Sequence, residues 1–542
     1  MKTINSARPW TVAAGSTAAV TAALVTAGLV IKEIAGPELH VAAVRDGAVL
    51  SREEARVQTV AVTTNEPGKV RVRLDGRPLE LRAHGGRLVA DLGPLPEGEH
   101  ELTVTAPGGL PLTGGNITRK FRVDATPPSI TVDALRPATR DGQPARLQAR
   151  SLREPFTLTG RVRGATRLLS EGRPVELGEE GRFTLRYRTP PDAVRLTAYD
   201  SAGNRLDQRI PVVVPHPEMR AVHVTALAWA SEPLRNRVLT MIREGRINAV
   251  QLDIKDEDGI VGYASQVPLA REVGAARPIY DARKAIDQLH AMNVRVVGRI
   301  VAFRDPQLGR ASWKAGKRDR LVQTPGGGAY GAHYGAQSFT NLADPEVRRY
   351  NIDLAVEAAR LGFDDILYDY VRRPDGPLKS MRFPGIKGSV EDNVASFVAE
   401  TRRLVRPHGA FLGASVYGIA ATRPLEIGQD ITKIGKHVDY VAPMLYPSHW
   451  ASGEFGIGNP NAQPYKTVYA SMLTFHKVLR GTSAQVIPWL QDFSLGHSYG
   501  NAEVRAQIDA AAKTGSPSFL LWDPSCRYHP GALEPRENWK SA

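Results

Sequence analysis

The sequence has almost none of the residues that build covalent or metal-bound frameworks. Cys526 is the only cysteine in 542 residues, so neither an intramolecular disulfide nor a thiolate cluster for zinc can form. The histidines are scattered, and none shows His-x-x-x-His spacing. The acidic run 256–259 is not a calcium loop, because Ile254 and Ser265 would then have to serve as ligands. The sequence therefore predicts a protein that uses no metal ion and no other cofactor.

Signatures of several other functional classes are absent too. There is no Gly-x-Ser-x-Gly elbow of a serine hydrolase, and the glycine run 326–328 lacks the Lys-Ser/Thr ending of a phosphate loop. We expect that run to lie in a lid. The chain has 70 basic and 56 acidic residues, a net charge of +14, but no long basic tract and no nucleic-acid module. We therefore expect no nucleic-acid partner, while the charge suits acidic envelope polymers or anionic membrane surfaces.

Only the N-terminus carries a long uncharged run. Residues 10–31 follow Lys2 and Arg8 and are long enough to span a bilayer. The basic flank would keep the short tail in the cytoplasm. We favour a retained signal anchor at 1–36, although a signal peptide cleaved before Pro37 would also fit. Either reading exports the chain to the cell envelope, as a single-pass membrane protein that uses this helix as its anchor or as a secreted one.

Two all-β modules are expected after this segment. Short alternating runs fill 37–126, and Asp75-Gly76 is a strong hairpin signal. Pro127 and Pro128 then stiffen a linker before a second set of runs over 127–216. The phrase 196–204 resembles the closing hairpin of bacterial immunoglobulin-like domains. We therefore predict two immunoglobulin-like sandwiches, acting as spacers or weak glycan-binding modules.

From Arg220 onward, strands alternate with longer amphipathic stretches, which is typical of parallel βα units. Asp344 and Pro345 form a good helix start within this pattern. Eight units predict an α/β fold, a (β/α)8 TIM barrel, over 217–542. The predicted strands are 221–229, 248–255, 294–303, 365–371, 411–417, 440–446, 485–491 and 518–522.

Polar and aromatic residues cluster where these predicted strands end, which is where a barrel holds its active site. Aromatic faces stack on sugar rings, and charged or amide groups bind hydroxyls. In the second strand, Asp253 and Lys255 share one face with Gln251, so they either pair with each other or serve in substrate contact or catalysis. The candidate substrate-binding residues are Asp253, Lys255, Arg299, Tyr368, Arg372, Tyr446, His449, Trp489, Gln491 and Trp522.

Carboxylates are the remaining candidates for catalysis. Hydrolysis of a glycosidic bond needs one carboxyl group to protonate the leaving oxygen and a second to attack or to activate water. Asp369, at the end of the fourth strand, is the candidate nucleophile or base. The general acid stays open among Asp256, Glu257 and Asp492, or it is absent.

Four segments, 250–259, 365–374, 442–449 and 488–493, resemble the bacterial "putative glycosyl hydrolase" barrel family, which is distantly similar to alpha-amylase-type barrels. The resemblance implies that Asp369 corresponds to the strand-four catalytic aspartate of those enzymes. They also carry an acidic glutamate at the end of strand five, where this chain reads Gly-Ala-Ser-Val-Tyr-Gly at 413–418.

Two functions follow as hypotheses. The first is an exported, membrane-anchored glycoside hydrolase that cleaves a polysaccharide or oligosaccharide by carboxylate chemistry. The second is a non-catalytic glycan-binding or envelope scaffolding protein whose barrel has lost its acid. The sequence does not indicate an oligomeric state.

Overall fold

The computed structural model describes residues 38–106, 115–140 and 142–538. The predicted signal anchor or signal peptide at 1–36 lies outside the described residues. Within them, no helix is both long and apolar enough to cross a membrane. The chain forms two compact units: the first comprises Met1–Thr131, Gly160–Phe183 and Arg195–Gln208, and the second comprises Val132–Thr159, Thr184–Val194 and Arg209–Ala542.

The first β region forms two sheets, with strand orders β1-β3-β7-β6 and β2-β9-β8-β4-β5. Alternating residues such as Val60, Val62 and Val104 bury one face of each sheet. The predicted Asp-Gly hairpin is present, since Asp75 and Gly76 both have positive φ between β4 and β5. The strands are β1 Leu39–Ala42, β2 Val49–Leu50, β3 Thr59–Thr64, β4 Arg71–Leu74, β5 Arg77–Pro78, β6 Arg82–His84, β7 Arg87–Asp91, β8 Gly98–Ala106 and β9 Gly115–Val123.

The second β region also consists of strands, as the alternation predicts. Its assignment, and that of the first region, to the immunoglobulin-like class stays a prediction, as do the domain limits at 126 and 216. In the first unit, β13 pairs antiparallel with β14 and β16. The strands are β10 Ser129–Val132, β11 Leu147–Gln148, β12 Phe156–Arg163, β13 Arg167–Ser170, β14 Arg173–Val175, β15 Arg182–Tyr187, β16 Ala193–Tyr199 and β17 Arg205–Val213.

The second unit contains a closed parallel barrel, which confirms the predicted eight-stranded architecture. Strand seven is split in two, with Pro488, which has no amide hydrogen, between the parts. The pairing of β22 with β23 closes the ring. The strands are β18 Arg220–Val224, β19 Ala249–Lys255, β20 Arg295–Val301, β21 Asp365–Asp369, β22 Phe411–Tyr417, β23 Tyr440–Met444, β24 Gln485–Val486, β25 Trp489–Gln491 and β26 Phe519–Trp522.

The first barrel strand is shorter than predicted. It ends at Val224, because the Thr225 hydroxyl accepts the Ala228 amide at 3.0 Å and starts a helix that contains Trp229. The helices are α1 Ala226–Ala230, α2 Glu232–Arg243, α3 Pro268–Glu272, α4 Ala282–Ala291, α5 Pro306–Lys314, α6 Pro345–Leu361, α7 Val390–Val405, α8 Ile431–Gly435, α9 Pro464–Val478 and α10 Asn501–Lys513.

Helix α6 shows how local sequence sets these boundaries. The Asp344 carboxylate accepts the amides of Glu346 and Val347, and Pro345 occupies the first turn. Gly362 ends the helix in the left-handed region, at φ 108°. The helix start predicted at Asp344 and Pro345 is therefore confirmed.

One prediction for the second strand is wrong. The pairing of β19 with β20 shifts register between Asp253 and Lys255, so Lys255 does not share the face of Asp253. Instead, Lys255 Nζ donates to Asp305 Oδ2 at 2.7 Å and to Asn351 Oδ1 at 2.8 Å. Lys255 therefore ties α5 and α6 to the barrel, and it does not pair with Asp253.

This buried pair yields a stability prediction. Asp305 both neutralises Lys255 and caps α5, where it accepts the Leu308 amide at 2.8 Å. Asp305→Ala leaves a buried ammonium unpaired, so we expect a loss of about 3–5 kcal/mol in the free energy of unfolding. Asp344→Ala removes only a cap and should cost about 1 kcal/mol. Urea unfolding followed by tryptophan fluorescence measures both, and equal losses would contradict a structural role for the ion pair.

Candidate active site

A cavity of about 390 Å³ opens where the barrel strands end. Two carboxylates and one guanidinium supply its charge, and aromatic rings supply most of the remaining wall. The charged members are Glu257, Arg299 and Asp369. The others are Tyr370, Tyr417, Gly418, Ile419, Met444, Tyr446, His449, Trp450, Trp489 and Trp522. This composition suits a ligand with apolar faces and hydrogen-bonding edges.

Arg299, on β20, is the centre of the charged group. Its Nη1 donates to Asp253 Oδ1 at 3.0 Å, and its Nε and Nη2 donate to Asp369 Oδ2 at 3.0 and 2.7 Å. Its Nη2 also donates to Glu257 Oε1. Burial disfavours the charged guanidinium, but the three carboxylates outweigh burial and raise the pKa of Arg299 above its usual range. One buried cation therefore holds three carboxylates together.

Glu257 and Asp369 are close enough to act as a pair. Both accept a hydrogen bond from the same nitrogen of Arg299, so their contacting oxygens lie no more than about 6 Å apart. That limit includes the separation of about 5–5.5 Å found between the carboxyl groups of retaining glycosidases. Burial raises the pKa of Glu257, but Arg299 lowers it by a larger amount, so the net pKa is below the usual value.

Asp369 is held on both of its oxygens. Arg299 binds Oδ2, and the backbone amide of Tyr370 donates to Oδ1 at 2.7 Å. Tyr370 adopts φ 49°, a left-handed conformation that is costly for an aromatic residue. Arg304 Nη1 donates to the Tyr370 hydroxyl at 3.1 Å and helps to fix the ring. The end of β21 therefore gives up favourable backbone geometry in order to orient Asp369.

A buried histidine supports Arg299 indirectly, through Asp253. His223 Nε2 donates to Asp253 Oδ1 at 2.9 Å, and the imidazole stacks on Trp522 with ring centroids 4.1 Å apart. Burial disfavours the imidazolium, but Asp253 outweighs burial and raises the pKa of His223 to about 9. His223 and Arg299 in turn lower the pKa of Asp253 against the effect of burial. Asp253 therefore positions Arg299 and is not part of the cavity wall.

The other two candidate acids lie outside the cavity wall. Asp256 Oδ1 accepts the amides of Asp258 and Ile260 at 3.0 and 2.9 Å, so it closes its own turn. Asp492 is buried and pairs with the ring and amide of His529. Burial raises the pKa of each carboxyl to about 6. Of the three acids that the sequence left open, only Glu257 reaches the cavity with Asp369.

Half of the predicted substrate-binding set lines the cavity. Its members are Arg299, Tyr446, His449, Trp489 and Trp522. Besides Asp253 and Lys255, the structure places Tyr368, Arg372 and Gln491 elsewhere. Tyr368 points away from the face of Asp369, as strand alternation requires, and its hydroxyl donates to the Asn351 carbonyl at 3.2 Å.

Arg372 contacts the cavity residue Tyr417, and Gln491 contacts Ser448, the neighbour of the cavity residue His449. Arg372 Nη2 donates to the hydroxyls of Tyr417 and Tyr334 at 2.7 and 3.0 Å. Gln491 Oε1 accepts the Ser448 amide at 3.1 Å and the Ser448 hydroxyl at 2.8 Å. Both therefore support the cavity wall although neither is part of it.

The predicted substrate-binding set does not include the other wall residues, which are Tyr370, Tyr417, Gly418, Ile419, Met444 and Trp450. Tyr417, Met444 and Trp450 lie at or near the ends of the predicted strands, so strand position alone indicates these three. Gly418 gives no sequence signal, yet a Cβ there would lie 2.6 Å from Trp450. Only glycine allows that approach.

Comparison with known proteins identifies the class of this site. Residues 221–528, more than half of the chain, match the family described as "Putative glycosyl hydrolase domain". The chain belongs to this family, and its barrel is a glycosyl hydrolase domain with a glycan-processing function. No curated protein matches the chain.

Three solved structures illustrate the similarity. A hypothetical protein from Ruminiclostridium thermocellum is 32% identical over 36% of this chain and 96% of its own, with a TM-score of 0.32. The PgaB (BpsB) glycoside hydrolase domain from Bordetella bronchiseptica is 16% identical over 57% and 95%, with a TM-score of 0.42. A Group II chitinase catalytic domain from Ostrinia furnacalis is 12% identical over 58% and 94%, with a TM-score of 0.35.

The His223–Asp253 pair should make stability depend on pH. Because the folded pKa is about 9 against a usual 6.5, the stabilisation is complete below pH 6.5 and is lost as pH rises through 9. We expect the free energy of unfolding to fall by about 2–3 kcal/mol between pH 6.5 and 9.5. His223→Gln should lower stability at pH 6.5 and flatten this decline.

The matched control is His497→Gln, which replaces an exposed histidine and should keep the decline. Urea titrations at the two pH values measure all three proteins. An equally steep decline in His223→Gln would show that another group causes it.

Proposed function

We propose that this protein is a glycoside hydrolase that cleaves a polysaccharide with Asp369 and Glu257. The observation that carries the proposal is the placement of these two carboxylates on one nitrogen of Arg299, inside an aromatic cavity. Membership of the glycosyl hydrolase domain family supports the reaction class. The spacing of the two groups suits a reaction with retention of anomeric configuration.

Asp369 is the nucleophile in this proposal. The Tyr370 amide and Arg299 donate hydrogen bonds to its two oxygens and so fix their direction. Its attack on the anomeric carbon forms a glycosyl ester as the bond to the leaving oxygen breaks. Water then cleaves that ester and restores the carboxylate.

Glu257 is the general acid and then the base. Its side chain is 30% exposed, against 8% for Asp369, so a sugar that enters the cavity reaches Glu257 first. A sugar that separates Glu257 from Arg299 removes the cause of its lowered pKa. The protonated carboxyl donates its proton to the leaving oxygen and later takes one from the attacking water.

The cellular setting is part of the same proposal. The uncharged run 10–31 after a basic tail supports export to the cell envelope, with anchoring in the membrane or secretion after cleavage. The two β regions would then hold the barrel away from the membrane surface. Acidic envelope polymers fit the net charge of +14.

Loss of either carboxylate should abolish cleavage. We expect the full chain to release reducing ends from at least one envelope or exopolysaccharide fraction. Asp369→Asn and Glu257→Gln should each lower that release by about 100- to 10,000-fold. Asp256→Asn is the control, because asparagine keeps the oxygen that closes the turn and the residue lies outside the cavity wall. Equal release by Asp369→Asn and the parent would rule out the assigned nucleophile.

A glycan-binding or scaffolding role without catalysis is the second candidate. Tyr417 occupies the strand-five end where an acid is expected from the resemblance, and Arg299 lowers the pKa of Glu257. Both observations favour a cavity that holds a sugar without protonating it.

This second role predicts affinity without release of reducing ends. We expect Asp369→Asn to retain glycan affinity, while His449→Ala, which removes a ring from the cavity wall, weakens it about fivefold. His497→Ala is the control, because that exposed ring lies outside the cavity wall. Affinity electrophoresis in gels containing the same fractions measures all three. Release of reducing ends by the parent would exclude this role.

A further inference from the structure

A second cavity, of about 330 Å³, lies within the second compact unit. It shares no wall residue with the cavity that contains Asp369. Its wall includes residues just before β23 and β24 and the segment that leads into β18, so it sits where barrel strands begin. Val438, Asp439 and Ser483 mark the first of these positions. The proposed catalytic mechanism uses none of its residues.

Two ion pairs border this cavity. Arg402 Nη2 donates to Asp439 Oδ1 at 2.8 Å, and Arg402 Nη1 donates to Asp192. Arg406 lies beside them, with Nε 3.1 Å from Asp192 and Nη1 3.6 Å from Asp439. The two carboxylates therefore balance the two guanidinium groups and leave no acidic excess.

Several donors remain unused after this pairing. Arg402 Nε, Arg406 Nε and Arg406 Nη1 are buried and form no hydrogen bond within the described part of the protein, although the two Arg406 nitrogens lie near the carboxylates of Asp192 and Asp439. Buried guanidinium nitrogens without an acceptor are uncommon and indicate an absent partner such as water or an anion.

Two further cations stand at the rim. Arg209 and Lys436 are exposed, line the cavity, and form no ion pair among the described residues. Burial, Arg402 and Lys436 together lower the pKa of His437, which shares the wall. Burial and Arg402 likewise lower the pKa of Arg406. Charges at the rim and in the wall therefore give the cavity a positive potential.

We propose that this cavity binds phosphate, either as the free ion or as a phosphate group of a larger molecule. Arg402, Arg209 and Lys436 come from different chain segments and line the same cavity. Such convergent donors match the tetrahedral oxygens of phosphate better than the planar oxygens of a carboxylate, which one guanidinium satisfies. This site is independent of the proposed hydrolase activity.

The test compares phosphate with chloride at equal ionic strength on the full chain. Isothermal titration and thermal unfolding should show saturable binding of inorganic phosphate and a rise in Tm beyond that in chloride. Arg209→Gln combined with Lys436→Gln should weaken phosphate binding at least tenfold. Arg237→Gln combined with Lys513→Gln removes two exposed charges elsewhere on the same unit and should leave binding unchanged.

Two results would overturn the proposal. The first is no effect of phosphate beyond chloride on the parent, which would show that water fills the cavity. The second is equal weakening in both double variants, which would show diffuse attraction to a basic surface. Poly(glycerol phosphate) serves as a third probe: tighter binding than inorganic phosphate assigns the site to a polymer, and weaker binding assigns it to the free ion. Circular dichroism confirms that each variant is folded.

Discussion

The Arg299 guanidinium and the three carboxylates around it are the contact on which the rest of the barrel site depends. A buried cation is costly unless it is fully paired, and Asp253, Glu257 and Asp369 use every nitrogen of this one. The dependence is mutual, because three carboxylates this close would repel one another without the cation between them. His223 adds a second positive charge next to Asp253. The two positive groups and the three carboxylates are then close to charge balance.

Barrel geometry explains why these groups meet. In the parallel sheet, Asp253 on β19 stands opposite Arg299 on β20, and Val301 on β20 stands opposite Asp369 on β21. Three adjacent strands therefore bring their charged residues to one end of the barrel without help from long loops. Strand residues such as Tyr417, Trp489 and Trp522 supply the aromatic wall together with the loops after the strands, and Arg372 and Gln491 donate to or accept hydrogen bonds from this region. The charge thus comes from three adjacent strands and the turn after strand two, and the aromatic surface comes mainly from strands five to eight and the loops after them.

The sequence predicted the barrel because strand and helix periodicities alternate eight times, and it predicted Asp369 and Arg299 because both lie near strand ends. It also held enough information to place Tyr368 outside, since a neighbour of an inward Asp369 must face outward in a strand. The position of Lys255 could not be predicted in this way. Alternation predicts that Lys255 faces into the barrel, but the register shift between β19 and β20 directs it toward Asp305. The partner of Asp492 could not be predicted either, because His529 is not near it in the sequence.

Glu257 supplies a second carboxylate to the cavity even though strand five has no glutamate. Glu257 reaches the cavity from a turn after strand two, and Asp256 closes that turn by accepting two of its amides. Gly259 completes the turn at φ 81°, where a Cβ would lie 2.1 Å from Asp305 Oδ1. The turn is therefore packed against the same aspartate that neutralises Lys255 and caps α5. A carboxylate on a turn held in this way is placed nearly as firmly as one on a strand, yet it keeps the exposure that a group exchanging protons with water requires.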